Sequence, residues 1–366
     1  MSLLLGLRRV SQSFNTLIRC RSLAHHHFNT QSCSRRVLFL AERFGPQLPS
    51  EQCFYSANIF KDGTLGPATR LPPTPIPFRS HISVESSWST TAVLNDKISL
   101  HVGSHIHIYS PNTGEDSTFP DYPQHEFEIG FYNCFCGHFS YFGVDPLSNE
   151  HKVLFLQMVI NKTYLWVFTP ASGSWRRIEP RVPGPGPYKF DFPGEDEKEK
   201  VVFANGAIHL FICHAFDRRT FLPVKFILVF DMKEEKFRKI SLPYDSDSFS
   251  GKLIQTCGRL AFIEDVCGKR CGGSLDHELK FWILEDYKWV YKPIHFPFSC
   301  CFVYTNLLAF NYITGKMLLQ FRDTTLFLYC NTKTGTFREV QVSGFPHGNG
   351  SKHDYFGFRV IDVKFG

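Results

Sequence analysis

Four times in the second half of the chain, an apolar strand runs into a tight turn and emerges on a strand led by an aromatic residue. TYLWVFTPASGSWRRI carries Trp175-Arg176-Arg177-Ile178, KFILVFDMKEEKFRKI carries Phe237-Arg238-Lys239-Ile240, and LFLYCNTKTGTFREV carries Phe337-Arg338-Glu339-Val340. FWILEDYKWVYKPI, with a shorter turn, carries Trp289. The four lead aromatics stand 62, 52 and 48 residues apart. A hairpin returning at roughly 40–50 residues marks a radial β repeat, in which no sheet buries both faces alone and each stacks on its neighbours. The expected fold class is all-β and β-propeller-like, and such a fold turns attention from catalysis to binding.

Other strand signals agree. KISLHVGSHIHIYSPNTGE alternates Ile98, Leu100 and Val102, then Ile106 and Ile108, and closes on a turn at Pro111 to Gly114. HKVLFLQMVI is a continuous apolar run, as expected of a strand buried on both faces. VVFANGAIHLFICH holds an Asn205-Gly206 hairpin turn, and LIQTCGRLAFIE repeats that layout with Cys257-Gly258. From Ser80 to the C-terminus, at roughly 45 residues per blade, there is room for about six blades. Two stretches, Arg181 to Lys200 and Cys267 to Ser274, read as rim loops.

Composition narrows the function classes. The 366 residues carry a formal charge of +6, with Lys and Arg scattered rather than massed, so no nucleic-acid partner is expected. No apolar run reaches the ~20 residues of a spanning helix, so no membrane partner is expected either. Leu3-Leu4-Leu5 is too short for a secretory h-region, and the twelve cysteines are expected to be reduced thiols. The arginine-rich start, with no acid before Glu42, fits either an organellar transit peptide or a short basic helix. In that stretch Leu7, Val10, Phe14 and Ile18 recur at helical spacing on one face.

No catalytic motif stands out. There is no nucleophile elbow, and Pro183 to Gly186 lacks the lysine and the following helix of a phosphate loop. Zinc needs four tetrahedral sulfur or nitrogen ligands. The best candidates are one loose pair, Cys267 and Cys271, with Cys257 and His277 nearby, and the single run Cys134, Cys136 and His138. Neither makes two knuckles, so no metal and no cofactor are expected. His105 and His107 read as solvated or hydrogen-bonded strand residues.

YFGVDPLSNEHKVLFL, Tyr141 to Leu156, resembles the "Gly-x-Asp-Pro-x-x-Asn-x-Tyr-Lys-Val" strand of the plant F-box-associated domain, with His151 in place of tyrosine. HIHIYSPNTGE, ANGAIHLF and FWILEDYKWVYKPI resemble further motifs of that family in the same order. LRRVSQSFNTLIRCRSLAHHHF resembles the last part of an F-box, with Gln12 and Phe14 in place of lysine and tryptophan. The F-box opening, a Leu-Pro pair and an amphipathic helix, is absent from the sequence.

The resemblance implies a helical F-box remnant at residues 1–30, a linker with first strand candidates at 31–79, and a propeller-like domain at 80–366. It also implies a substrate-recognition subunit of a Skp–cullin–F-box ubiquitin ligase in the cytoplasm or nucleus, with mitochondrial import as the alternative. Leu7, Val10, Phe14 and Ile18 would face a Skp-type adaptor, bound weakly because the remnant is partial, and the protein substrate is unknown. Two other readings stand beside this one: a degenerate family member without adaptor binding, and a ligand-binding propeller.

Overall fold

Where apolar residues fill every position of a strand, both sheet faces must be covered, and a ring of stacked sheets satisfies that demand. The computed structural model describes residues 36–44, 51–60, 62–72, 89–94, 97–102, 105–111, 113–120, 137–159, 162–179, 189–190, 201–216, 223–243, 251–265, 277–296, 305–311, 313–321, 326–345 and 355–364. Strands β1 (Arg36–Phe44), β2 (Glu51–Asn58) and β3 (Thr69–Arg70) come first. Blade one holds β4 (Ser89–Leu94), β5 (Lys97–Val102), β6 (His105–Ser110) and β7 (Glu115–Thr118). Blade two holds β8 (Gly137–Val144), β9 (His151–Val159), β10 (Lys162–Thr169) and β11 (Ser174–Ile178).

Blade three is β12 (Lys189–Phe190), β13 (Val201–Ala204), β14 (Ala207–Phe216), β15 (Pro223–Asp231) and β16 (Lys236–Ile240). Blade four is β17 (Lys252–Thr256), β18 (Arg259–Asp265), β19 (His277–Glu285), β20 (Lys288–Tyr291) and β21 (Ile294–Phe296). Blade five is β22 (Thr305–Asn311), β23 (Lys316–Phe321), β24 (Leu326–Asn331) and β25 (Thr336–Gln341). The last strand, β26 (Tyr355–Lys364), pairs antiparallel with β1, so the sixth sheet runs β26-β1-β2-β3. The expected all-β propeller with about six blades is the fold observed.

The sixth blade is assembled from both ends of the described chain. Arg36 lies opposite Lys364, and Phe44 opposite Tyr355. Residues 36–70, which read as a connector with one strand candidate, thus supply three strands of the propeller. The inner strands touch in turn, β4 with β8, β8 with β14, β13 with β17, β17 with β22, β22 with β26 and β26 with β4, and the circle closes.

Six apolar clusters fill the six seams. Leu154, Leu156 and Val167 of blade two meet Leu210, Phe226 and Phe230 of blade three, and Phe211 of blade three meets Phe262 and Trp282 of blade four. Phe281 of blade four packs on Phe310 of blade five, and Tyr329 of blade five joins Phe39 and Tyr55 of blade six. Phe54 stacks on Tyr109 across the seam from blade six to blade one, and Ile106 and Phe119 meet Phe142 and Val153 across the last. The period-2 alternation of a strand explains the continuous run in β9: Val153 faces blade one while Leu154 and Leu156 face blade three.

Each lead aromatic sits second in the outermost strand of its blade and packs toward the preceding blade. Phe237 joins the cluster between blades two and three, and Phe337 packs against that between blades four and five. Trp289 packs against the cluster between blades three and four, and Trp175 against the one between blades one and two. The sequence repeat is therefore a repeat of seams.

Candidate functional site

In an antiparallel blade, the first-to-second and third-to-fourth connections leave one end of the sheet, and the remaining connections leave the other. The tight turns therefore gather on one face. Two-residue turns there are Asn205-Gly206, Cys257-Gly258 and Asp286-Tyr287. The four-residue turns at 111–114, 170–173, 232–235 and 332–335 end on Gly114, Gly173, Glu235 and Gly335, with φ of 70°, 61°, 53° and 66°. Glycine suits that left-handed conformation because it lacks a Cβ. Glu235 occupies it against the usual side-chain preference.

The reason lies across the seam. Lys152, 6% exposed, donates from Nζ to Asp145 Oδ2 at 2.9 Å, to the Met232 carbonyl at 2.8 Å and to Glu235 Oε1 at 3.2 Å. Arg176 makes a further ion pair with Glu235. A buried lysine with two carboxylates and a carbonyl ties the first turn of blade two to the outer turn of blade three. Those acceptors engage all three donors of an ammonium group, leaving no lone pair for nucleophilic or Schiff-base chemistry. The arrangement fastens two blades together.

The motif around it reads residue by residue. Asp145 Oδ1 accepts the Leu147 N–H at 2.9 Å. Burial pushes the Asp145 carboxyl up, but the Lys152 hydrogen bond and the Leu147 and Ser148 amides outweigh it and hold the pKa below the ordinary value. Asn149 turns the chain at φ 55°, a left-handed position that asparagine tolerates. Pro146 lies against Gly206 of the next blade, where an added Cβ would stand 2.8 Å from the proline ring. His151 stacks on Phe142 with ring centroids 5.1 Å apart, and burial, then the charge of Lys97, lowers its pKa to about 4.

The turn face is tied at other seams as well. Arg338 of blade five reaches Asp62 of blade six at 3.2 Å. Tyr109 OH donates to the Pro72 carbonyl, and Thr256 Oγ1 donates to the Phe310 carbonyl. His107 Nδ1 lies 3.0 Å from Thr118 Oγ1 and 3.5 Å from Asp116, so it is held by hydrogen bonds on its own sheet.

Leu7, Val10, Phe14 and Ile18 lie outside the described residues, as do Cys134, Cys136, Cys267 and Cys271. Cys257 is exposed at its turn, while Cys53 and Cys330 are buried thiols. Among the described residues, no group of three or more His, Cys, Asp or Glu side chains is placed to hold a metal ion. The run Tyr141 to Leu156 holds both Asp145 and Lys152, but the sequence does not show their ion pair. The motif itself was the available signal for that pair, whereas Glu235, 83 residues from Lys152, gave none.

Fold and site together define a closed six-bladed propeller whose turns are locked from blade to blade. The model of the F-box associated beta propeller domain family matches residues 73–362, and the chain belongs to that family. An F-box protein of Arabidopsis thaliana is 25% identical over 226 residues, covering 58% of this chain and 43% of the relative. A second protein of that plant, also named as an F-box protein, is 27% identical over 194 residues, covering 51% and 52%. The chain spans about half the length of these curated relatives. Among solved structures, oligogalacturonate lyase from Vibrio parahaemolyticus shares 7% identity at a TM-score of 0.41, over 83% of this chain and 75% of that one. Apo AztD from Citrobacter koseri shares 9% at 0.33, over 90% and 99%. At those values neither likeness bears on function.

Proposed function

We propose that this chain is the target-binding subunit of a Skp–cullin–F-box ubiquitin ligase, holding a protein substrate on its propeller in the cytoplasm or nucleus. Membership of the F-box associated propeller family carries the reading. The geometry supports it: β1 starts and β26 ends on the turn face, where Arg36 pairs with Lys364. A module joined before β1 approaches from that face. The blade-to-blade connections begin and end at the opposite face, the one this reading gives to the target. The buried pair Lys152 and Asp145 of the turn face is consumed in fastening blades, which favours binding over catalysis.

On this reading Leu7, Val10, Phe14 and Ile18 face the adaptor, and the binding they give is weak. Titration calorimetry of a Skp-type adaptor with residues 1–366 and with residues 36–366 tests this. Weak binding that vanishes in the shorter chain is expected. Equal binding by both chains would remove the adaptor role from the helix face, and no binding by either favours a family member without ligase function.

A further inference from the structure

The β19–β20 turn is built against its own backbone preference. Asp286 and Tyr287 have φ of 45° and 62°, whereas Asn205-Gly206 and Cys257-Gly258 place glycine second in the same kind of turn. A bulky side chain rarely takes that conformation, and burial does not compensate here because Tyr287 is 84% exposed. The guanidinium of Arg238, on β16 of the preceding blade, lies 5.8 Å from the Tyr287 ring centroid. Four residues on, Tyr291 is 46% exposed and rests on Trp282 at 5.5 Å. Tyrosine and arginine gathered at one seam are residue types that anchor protein interfaces.

Charge selects the partner. The β15–β16 and β19–β20 turns, with β16 and β20, carry Lys233, Lys236, Arg238 and Lys288, while Lys239 lies over the Phe226 ring in the seam between blades two and three. Of their carboxylates beyond Asp231, Glu235 is engaged by Lys152 and Arg176, and Glu285 by Arg259 at 2.6 Å. That leaves Glu234 and Asp286 against the basic side chains. Interleaved signs suit a peptide with spaced carboxylates better than the continuous phosphate chain of a nucleic acid.

We propose that the seam between β16 and β20, with Tyr287 displayed at its tip, docks an acidic segment of a protein partner. The inference rests on the reading of the propeller as a protein-binding module and names the chemistry of one thing it binds. The test is selection of short random peptides from a display library on residues 1–366, followed by anisotropy titration of the winners. Selected peptides should be net negative and should lose about tenfold or more in affinity to Tyr287→Gly and to Arg238→Glu. Tyr287→Gly relaxes the turn, so its melting temperature should hold or rise, which separates lost docking from lost folding. No selected peptide, neutral or basic winners, affinity unchanged in Tyr287→Gly, or displacement by a short uridine-rich RNA at lower concentration would each overturn the proposal. The assay contains no adaptor, so its failure leaves the calorimetric test of the ligase reading intact.

Discussion

Trp289 Nε1 donates to the carbonyl of Ser241, 2.8 Å away on the preceding blade, and Trp175 Nε1 does the same to Pro120 at 2.9 Å. Both indoles lead an outermost strand, and both acceptors lie just past the outermost strand of the blade before. The aromatic repeat is therefore a seam fastener, with an added hydrogen bond where the aromatic is tryptophan. Trp289→Phe keeps most of the packing and removes the donor, so denaturant unfolding should show a loss of about 1 kcal/mol. Trp289→Ala should lose roughly 3–5 kcal/mol, since the seam then holds a cavity.

Lys152→Met should destabilise by about 3–5 kcal/mol, because Asp145 and Glu235 are left without their buried counter-charge. Adding Asp145→Asn and Glu235→Gln to Lys152→Met should recover part of that loss. Urea midpoints of the single and triple variants check it. A triple variant no more stable than the single one would show that the lysine acts by packing alone.

Gly206 and Gly173 separate two costs. Both have positive φ, 72° and 61°, but a Cβ at Gly206 meets the Pro146 ring at 2.8 Å while none meets an atom within 4 Å at Gly173. Gly173→Ala should cost about 1–2 kcal/mol of backbone strain. Gly206→Ala should cost more, and Gly206→Ala with Pro146→Ala should fall back toward the Gly173 value.

His209 sits in β14, 2% exposed, and burial, then the charge of Arg238, lowers its pKa to about 4 against an ordinary 6.5. The folded value is the lower one, so the unfolded chain takes up the extra proton between the two. Stability from this group is complete above pH 6.5 and is lost as pH falls toward 4, on the order of 3 kcal/mol in all. Asp145, depressed below the ordinary carboxylate value, adds its own loss only at lower pH. His209→Phe should make the profile between pH 6.5 and 4 shallower in denaturant titrations, with His151 supplying the slope that remains.

Local signals were legible where one strand or one turn carries them. Asn205-Gly206 announced its hairpin because few residue pairs tolerate two left-handed positions in a row. Trp175, Phe237, Trp289 and Phe337 announced the blade repeat because each fills the same place in a seam. The pairing of Arg36 with Lys364 was silent, since a strand records its own burial pattern and not the address of its neighbour. RVLFLAERF breaks its apolar run at Glu42 and Arg43, and the short edge strand Thr69–Arg70, which pairs with β2, looks like connector. Glu235 was silent for a related reason: within KEEK it reads as a solvated turn, and only the fold brings Lys152 to it.

The ring stands or falls with β26, which closes blade six against β1 and joins the inner strands of blades five and one. Deleting residues 355–366 strips β1 of one partner and opens the circle. Thermal unfolding by circular dichroism, with the full chain and the deletion side by side, measures this. Closure predicts one cooperative transition for the full chain and a broad, lowered one for the deletion, restored by adding a synthetic peptide of residues 355–364. A deletion that melts at the same temperature and with the same sharpness as the full chain would contradict it.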